Sequence, residues 1–184
     1  MSNTRNKILE ATFACIAEKG SSSTTLRDIS KKAGVALSQI HYYFTSKEGL
    51  MLEATFQFIN DEQKRIKEYL KDIKDPSTRI EKAADYLREQ QTANPTLQKV
   101  YVDLLTMSMW NPAMAEKTKE LQEMWINSIV EEEFAFGISN RAVARFIVAF
   151  LDGLALQALQ GAPKEELDQA YSVFRETIIN TQQH

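Results

Sequence analysis

Ala33-Gly34-Val35-Ala36-Leu37-Ser38-Gln39-Ile40-His41-Tyr42-Tyr43-Phe44-Thr45-Ser46-Lys47-Glu48-Gly49-Leu50 is the stretch on which the fold turns. Gly34 stands between two short helical patterns, at a point where glycine takes a positive φ at no steric cost. Two short helices on such a turn make a helix-turn-helix. The second helix is expected over residues 37–43. Ile40 and Phe44 are four apart and face a small core. Leu37, Ser38, Gln39, His41, Tyr42 and Tyr43 are left largely for the outside. Three rings and a glutamine crowded on one short exposed helix are poorly explained as solvated surface. They suit a major groove, where glutamine bonds adenine and apolar atoms touch thymine methyls. Tyrosine hydroxyls reach phosphates. The bland alternative is that the rings pack against the helix that follows.

Working outward, Thr25-Leu26-Arg27-Asp28 is a capping-box pattern that starts the helix before the turn. Thr45-Ser46-Lys47-Glu48 is a second such pattern and starts the helix after the reader. Upstream, Ile8, Leu9, Thr12, Phe13 and Ile16 share one side of a first helix, and Cys15 packs as a small hydrophobe. Downstream, Asp75-Pro76, Asn94-Pro95 and Asn111-Pro112 each read as a cap followed by proline at the first helical position. Gly161-Ala162-Pro163 reads as a stop and a restart. No sustained period-two alternation and no hairpin turn appear. An all-α chain of about nine helices follows, at 4–19, 25–33, 37–43, 46–72, 76–93, 95–110, 112–135, 139–160 and 163–181. The division expected is a DNA-binding domain at 1–46 and a regulatory domain at 47–184.

Charge supports the division. The chain of 184 residues carries −3 overall. Residues 1–50 hold seven basic side chains against four acidic ones, a balance of +3, which leaves −6 for residues 51–184. A basic reader attached to an acidic remainder fits a partner with a phosphate backbone. One cysteine excludes an intramolecular disulfide and a cysteine zinc cluster, and fits a reducing cytoplasm. Met1 to Arg5 leads straight into an amphipathic stretch, unlike a signal peptide. The stretch 142–159 has fourteen apolar residues of 18, but Arg145, Asp152 and Gly153 argue for a helix covered by protein rather than lipid. No cofactor, no metal and no membrane are expected.

Enzyme chemistry finds little support. The two histidines are His41, in the reader, and His184, at the tail. No nucleophile–base pair, helical metal motif or phosphate-binding glycine loop is present.

The spaced set Thr4, Ile8, Ala11, Ile16, Gly20, Thr25, Ile29, Ala33-Gly34-Val35, Tyr42-Tyr43-Phe44, Lys47 and Leu50 resembles the N-terminal pattern of TetR-type regulators over about 50 residues. The resemblance implies an N-terminal three-helix reader and a C-terminal helical bundle that binds a small molecule and forms a homodimer. By position, Lys47 grips a phosphate and Arg27 reaches a base edge or phosphate. Gln39, with Leu37 and Ser38, meets bases, and His41, Tyr42 and Tyr43 contact phosphates or thymine methyls. Thr25 caps a helix whose N-terminus favours phosphate. The chain has Ala36 where the family often has serine, Ser38 where it often has glycine, and His41 where it often has tyrosine. These departures bear on the operator sequence, not on the mode of binding.

For the remainder, Tyr86, Tyr101, Met107, Trp110, Met124 and Trp125 are candidates to line an adaptable effector pocket, and each is equally readable as core. Asp103, Gln90 and Thr106 read better as surface than as pocket groups. The stripe Phe146, Phe150, Leu154, Tyr171, Phe174 and Ile178 is the candidate dimer interface, or else the protomer's own core. Phe150-Leu151-Asp152-Gly153-Leu154 resembles a C-terminal pattern of choline-responsive members of the family, without naming a ligand here. The expected function is a sequence-specific regulator of double-stranded DNA, a homodimeric repressor released from a palindromic operator by a small-molecule effector. The rivals are a helical-bundle enzyme or carrier, and a regulator controlled by a protein partner.

Overall fold

The computed structural model describes residues 3–93, 95–130 and 134–181. Asn94 and His184 lie outside the described residues. Among the described residues there are nine helices and no strand: α1 (Asn3–Lys19), α2 (Leu26–Ala33), α3 (Leu37–Tyr43), α4 (Lys47–Leu70), α5 (Pro76–Ala93), α6 (Thr96–Ser108), α7 (Pro112–Val130), α8 (Arg141–Leu159) and α9 (Lys164–Thr181). The chain divides into two compact units. One holds residues 3–61 and 99–119, the other 62–98 and 120–181. α4, α6 and α7 each contribute residues to both.

In the first unit, α1 buries Ile8, Leu9, Thr12, Phe13, Cys15 and Ile16, and the same unit buries Ile29 of α2, Ile40 of α3 and Leu50, Met51 and Ala54 of α4. Phe13 stacks on Phe58 with ring centroids 3.6 Å apart. Thr12 turns its hydroxyl back to the Ile8 carbonyl at 2.7 Å. The buried oxygen is thereby paired. Cys15 is buried, and burial pushes its thiol pKa up, as befits an inert packing residue. α4 starts one residue later than its sequence pattern suggests. Ser46 Oγ accepts from the Gly49 N–H at 3.0 Å. Ser46 is therefore the cap, and the third helical position is a glycine. The expected Thr45–Glu48 capping box is corrected accordingly.

In the second unit, Ile66, Leu70, Ile80, Ile126, Phe134, Phe136, Ala144, Leu154, Tyr171, Phe174 and Ile178 are among the residues of one core. Asp75 caps α5 by accepting from the Thr78 N–H at 2.8 Å. Its Asp-Pro pair predicts that cap. α7 departs from expectation. Its described helix ends at Val130, not 135. Phe134, Phe136 and Ile138 are buried in alternation with exposed Ala135, Gly137 and Ser139. Ala135 at φ 49° and Gly137 at φ 70° turn alternate residues inward. Two left-handed positions in three residues are incompatible with a right-handed helix. Arg79 fixes this linker. It is 8% exposed, and its guanidinium donates to the carbonyls of Phe134 at 2.6 Å and Leu70 at 2.8 Å, and to that of Ile73.

α8 is less covered than its composition suggests. Ala144, Ile147, Leu154 and Ala155 are buried, but Phe146 is 49% and Leu156 43% exposed. By length and composition alone it is long and apolar enough to cross a membrane, at mean hydropathy 1.7. Here it packs on the core of its unit, and Arg141 and Arg145 both pair with Glu123 of α7.

Candidate nucleic-acid interface

The reader is built from its turn. Gly34 takes φ 67° and ψ 36°, and its N–H donates to the Lys31 carbonyl. The Val35 N–H reaches the Ser30 carbonyl at 3.1 Å. Together these bonds close a Schellman motif. Ser30 Oγ then donates to the Val35 carbonyl at 2.6 Å. Any side chain at 34 strains this backbone. α2 is fixed at its other end by a reciprocal capping box. Thr25 Oγ1 accepts from the Asp28 N–H at 3.2 Å. Asp28 Oδ2 accepts from the Thr25 N–H at 2.8 Å. Lys19 closes on the same carboxylate at 2.6 Å.

Those donors, Lys19 first and then Thr25, hold the Asp28 carboxyl well below the usual carboxylate range. A depressed folded pKa contributes stability that is present above the unfolded value, about 3.9, and is lost as pH falls through the folded one. The corner is therefore expected to hold unchanged from pH 8 to pH 5. DNA binding by the Asp28→Asn variant should be weaker than wild type at every pH in that window, by a constant factor; a titration of affinity against pH checks it.

α3 presents what the sequence promises. Ile40 and Phe44 are buried, Ser38, Gln39 and His41 are exposed, and Tyr42 is 82% exposed. Leu37 and Tyr43 are half-buried. The Tyr42 and Tyr43 rings meet edge to face at 5.0 Å. The pair is a preformed aromatic ridge. Thr25 and Arg27 are exposed, and Lys47 is half-buried at the start of α4. Gln39 has a second duty: its Oε1 accepts from the Ala36 N–H at 3.1 Å. Ala36 has no hydroxyl to complete the box, so the glutamine alone serves the helix start. The cap leaves the NH2 donors of Gln39 for a base acceptor.

Sequence patterns give no sign of Arg5. Its guanidinium lies over the Phe44 ring, 5.4 Å from the centroid. This is cation–π distance. The same group pairs with Glu53 of α4. One α1 side chain thus ties the end of the reader to the next helix.

The expected effector residues are divided between the two units. Tyr101, Met107 and Trp110 belong to the first unit, and Tyr86, Met124 and Trp125 to the second. Trp110 is 87% exposed in the α6–α7 turn, which removes it from any enclosed lining. Trp125 packs on the core beside Phe134. Tyr86 stands in a different setting. Its hydroxyl donates to Glu62 Oε1 at 2.8 Å, and its ring lies 5.3 Å from that of Tyr69. Burial first, and then the Glu62 carboxylate, push the Tyr86 pKa up to about 12. Glu62 is 7% exposed, and its other oxygen takes Arg65 at 2.8 Å, a side chain 63% exposed. A buried carboxylate beside tyrosines leaves no sequence signal, because a glutamate in a helical pattern reads as solvated face.

Of the expected interface, Leu154, Tyr171, Phe174 and Ile178 are buried within their own protomer, and these four are corrected to core. Phe150 stacks on Phe174 at 4.3 Å and is half-buried. Phe146, Leu156 and Val173 stay exposed.

Comparison with known proteins agrees with the reader. The profile of bacterial regulatory proteins, tetR family, matches residues 8–54, and that of the BetI-type transcriptional repressor, C-terminal, matches residues 76–181. The HTH-type transcriptional regulator BetI 1 of Chromohalobacter salexigens is 25% identical over 98% of this chain and 93% of its own. BetI of Yersinia pestis is 27% identical over 85% of this chain and 82% of its own. A transcriptional regulator of Saccharomonospora viridis, solved in complex with choline, superposes with a TM-score of 0.76 at 25% identity, covering 96% of this chain and 97% of that one. A regulator of Streptomyces coelicolor gives 0.78 at 25% identity, over 95% and 98%. The chain belongs to the tetR family of bacterial regulatory proteins, as a helix-turn-helix transcriptional regulator whose C-terminal region is of the BetI repressor type.

Proposed function

We propose that the protein is a cytoplasmic homodimeric repressor that reads a palindromic operator with α3 and leaves it when an organic cation binds beside Glu62. The observation that carries the reading half is the exposed ridge of Gln39, His41 and Tyr42 on a helix locked at both ends. One such helix reads only a few base pairs, so two copies at a spacing of about one helical turn or a multiple are needed for a specific site. The exposed Phe146, Leu156 and Val173, with half-buried Phe150, supply an apolar face for the second copy. The test of this half is salt-dependent retention on DNA: affinity falls linearly on logarithmic axes, by roughly 0.9 per phosphate contacted. A binding constant indifferent to salt contradicts it.

Support for the effector class comes from the Glu62 cluster. A buried carboxylate beside two tyrosine rings attracts a cation by charge and by ring face. Arg65 holds that place in the free protein, and its exposed side chain can swing away. The choline complex of the Saccharomonospora viridis regulator points to the same class. An effector releases DNA only through unequal affinity for the two states. Choline chloride is expected to raise the unfolding midpoint of the wild-type chain in a concentration-dependent way. Glu62→Gln should abolish that rise. An equal rise in both proteins, or none in either, removes the site.

A further inference from the structure

The turn between α1 and α2 is held from a distance. Ser21 N–H donates to Asp103 Oδ2 of α6 at 2.6 Å, across 82 residues of sequence. Both residues lie in the first unit. Ser21 is 3% exposed, and its Oγ is buried with no hydrogen-bond partner among the described residues. Ser21 is thus shielded while Ser22 and Ser23 beside it are exposed and Asp103 is half-buried, so the buried Ser21 N–H depends on this part-buried acceptor. Gly20, at φ 79°, lets the chain turn here, and a Cβ on it meets Asp103 Oδ2 at an ordinary 3.8 Å. Thr24 is fully buried and locks the turn from inside by donating to the Gly20 carbonyl at 2.7 Å. The next residue, Thr25, caps α2. α2 runs into the Gly34 turn and so into α3.

We infer that Asp103 is a positioning residue for DNA reading: from α6 it fixes the α1–α2 turn, and through α2 it fixes the setting of the recognition helix. It touches no DNA itself. This rests on α3 being the reader. It also gives α6 a hold on the reader by way of α2, so a shift of α6 reaches DNA affinity without passing through α4.

The test compares the full chain and its variants on two duplexes: one selected by the wild-type protein from a random pool, and a scrambled duplex of the same composition. A mispositioned reader loses base contacts but keeps its charge, so specific binding suffers and non-specific binding does not. Asp103→Ala should therefore weaken binding to the selected duplex about tenfold, with binding to the scrambled duplex unchanged. Asp103→Asn keeps an acceptor oxygen in place and should restore most of the ratio. Thr106→Ala, an exposed change one turn along α6, should leave it as in wild type. If circular dichroism shows that Asp103→Ala does not fold, Asp103→Ser takes its place, since its hydroxyl is too short to reach Ser21. A merely destabilised protein loses both duplexes in proportion. Proportional loss, no loss, or an equal loss in Thr106→Ala overturns the assignment. If the wild-type chain itself prefers no duplex over its scrambled counterpart, the reader falls, and the role of Asp103 falls with it.

Discussion

With Tyr42 replaced by alanine, the protein is expected to bind its selected duplex about 10- to 100-fold more weakly, with thermal unfolding unchanged. The separation of the two effects follows from exposure. Tyr42 is 82% exposed, so truncating it removes almost nothing from the core. Its edge-to-face contact with Tyr43 is worth about 0.5–1.5 kcal/mol at most, and less in contact with solvent. In the proposed complex the groove would desolvate the same ring and set its hydroxyl on a phosphate or its edge on a thymine methyl, at about 1–3 kcal/mol. Lys47→Ala should behave differently. It would remove the phosphate contact proposed for Lys47, and so should weaken selected and scrambled duplexes alike and lower the salt slope by roughly 0.9. Fluorescence anisotropy at three salt concentrations separates the two. A Tyr42→Ala protein that binds as wild type takes the base-reading role away from α3.

Replacing Arg79 by methionine is expected to cost about 3 kcal/mol or more of stability, through the backbone rather than through lost contact area. Methionine fills much of the same space, but it cannot donate. Three carbonyls, of Leu70, Ile73 and Phe134, then lose a charged donor. The buried Phe134 carbonyl costs about 1–3 kcal/mol when its donor goes, the part-buried Ile73 carbonyl adds to that, and the Leu70 carbonyl keeps only the Ile73 N–H at 3.1 Å. The position compounds the loss. Leu70 ends α4. There the helix dipole concentrates negative charge that a cation offsets. Arg79→Lys should fall between the two, because one ammonium cannot span acceptors that a planar fork can. For a chain of this length the methionine variant should melt roughly 6–12 °C lower. Denaturant unfolding followed by circular dichroism measures the loss of stability. A wild-type midpoint contradicts the latch.

The helices are legible in the sequence because their signals are local. Periodicity places Ile8, Leu9, Phe13 and Ile16 inside, where the structure has them. Asp75 and Asn111 cap α5 and α7 as their Asx-Pro pairs foretell. The reader is legible for the same reason: Ile40 and Phe44 turn inward and Tyr42 outward. What stays hidden depends on partners far along the chain. Arg79 meets Phe134 across 55 residues, Asp103 meets Ser21 across 82, and Glu62 meets Tyr86 across 24. In a helical pattern each reads as an ordinary solvated charge. The end of α7 is hard to place for a different reason. Phe134, Phe136 and Ile138 carry a short period-two signal, too brief to stand out beside the long helix before it. The α8–α9 stripe announces burial but not its partner, so four residues expected across an interface fill their own core instead.

Selection from a random duplex pool by the full chain, at near-physiological salt, tests the central claim most directly. The expected result is one enriched palindromic site, with half-sites about one helical turn or a multiple apart, retained by wild type and lost by Tyr42→Ala. A pool that emerges unenriched, or enriched equally by Tyr42→Ala, contradicts sequence reading by α3.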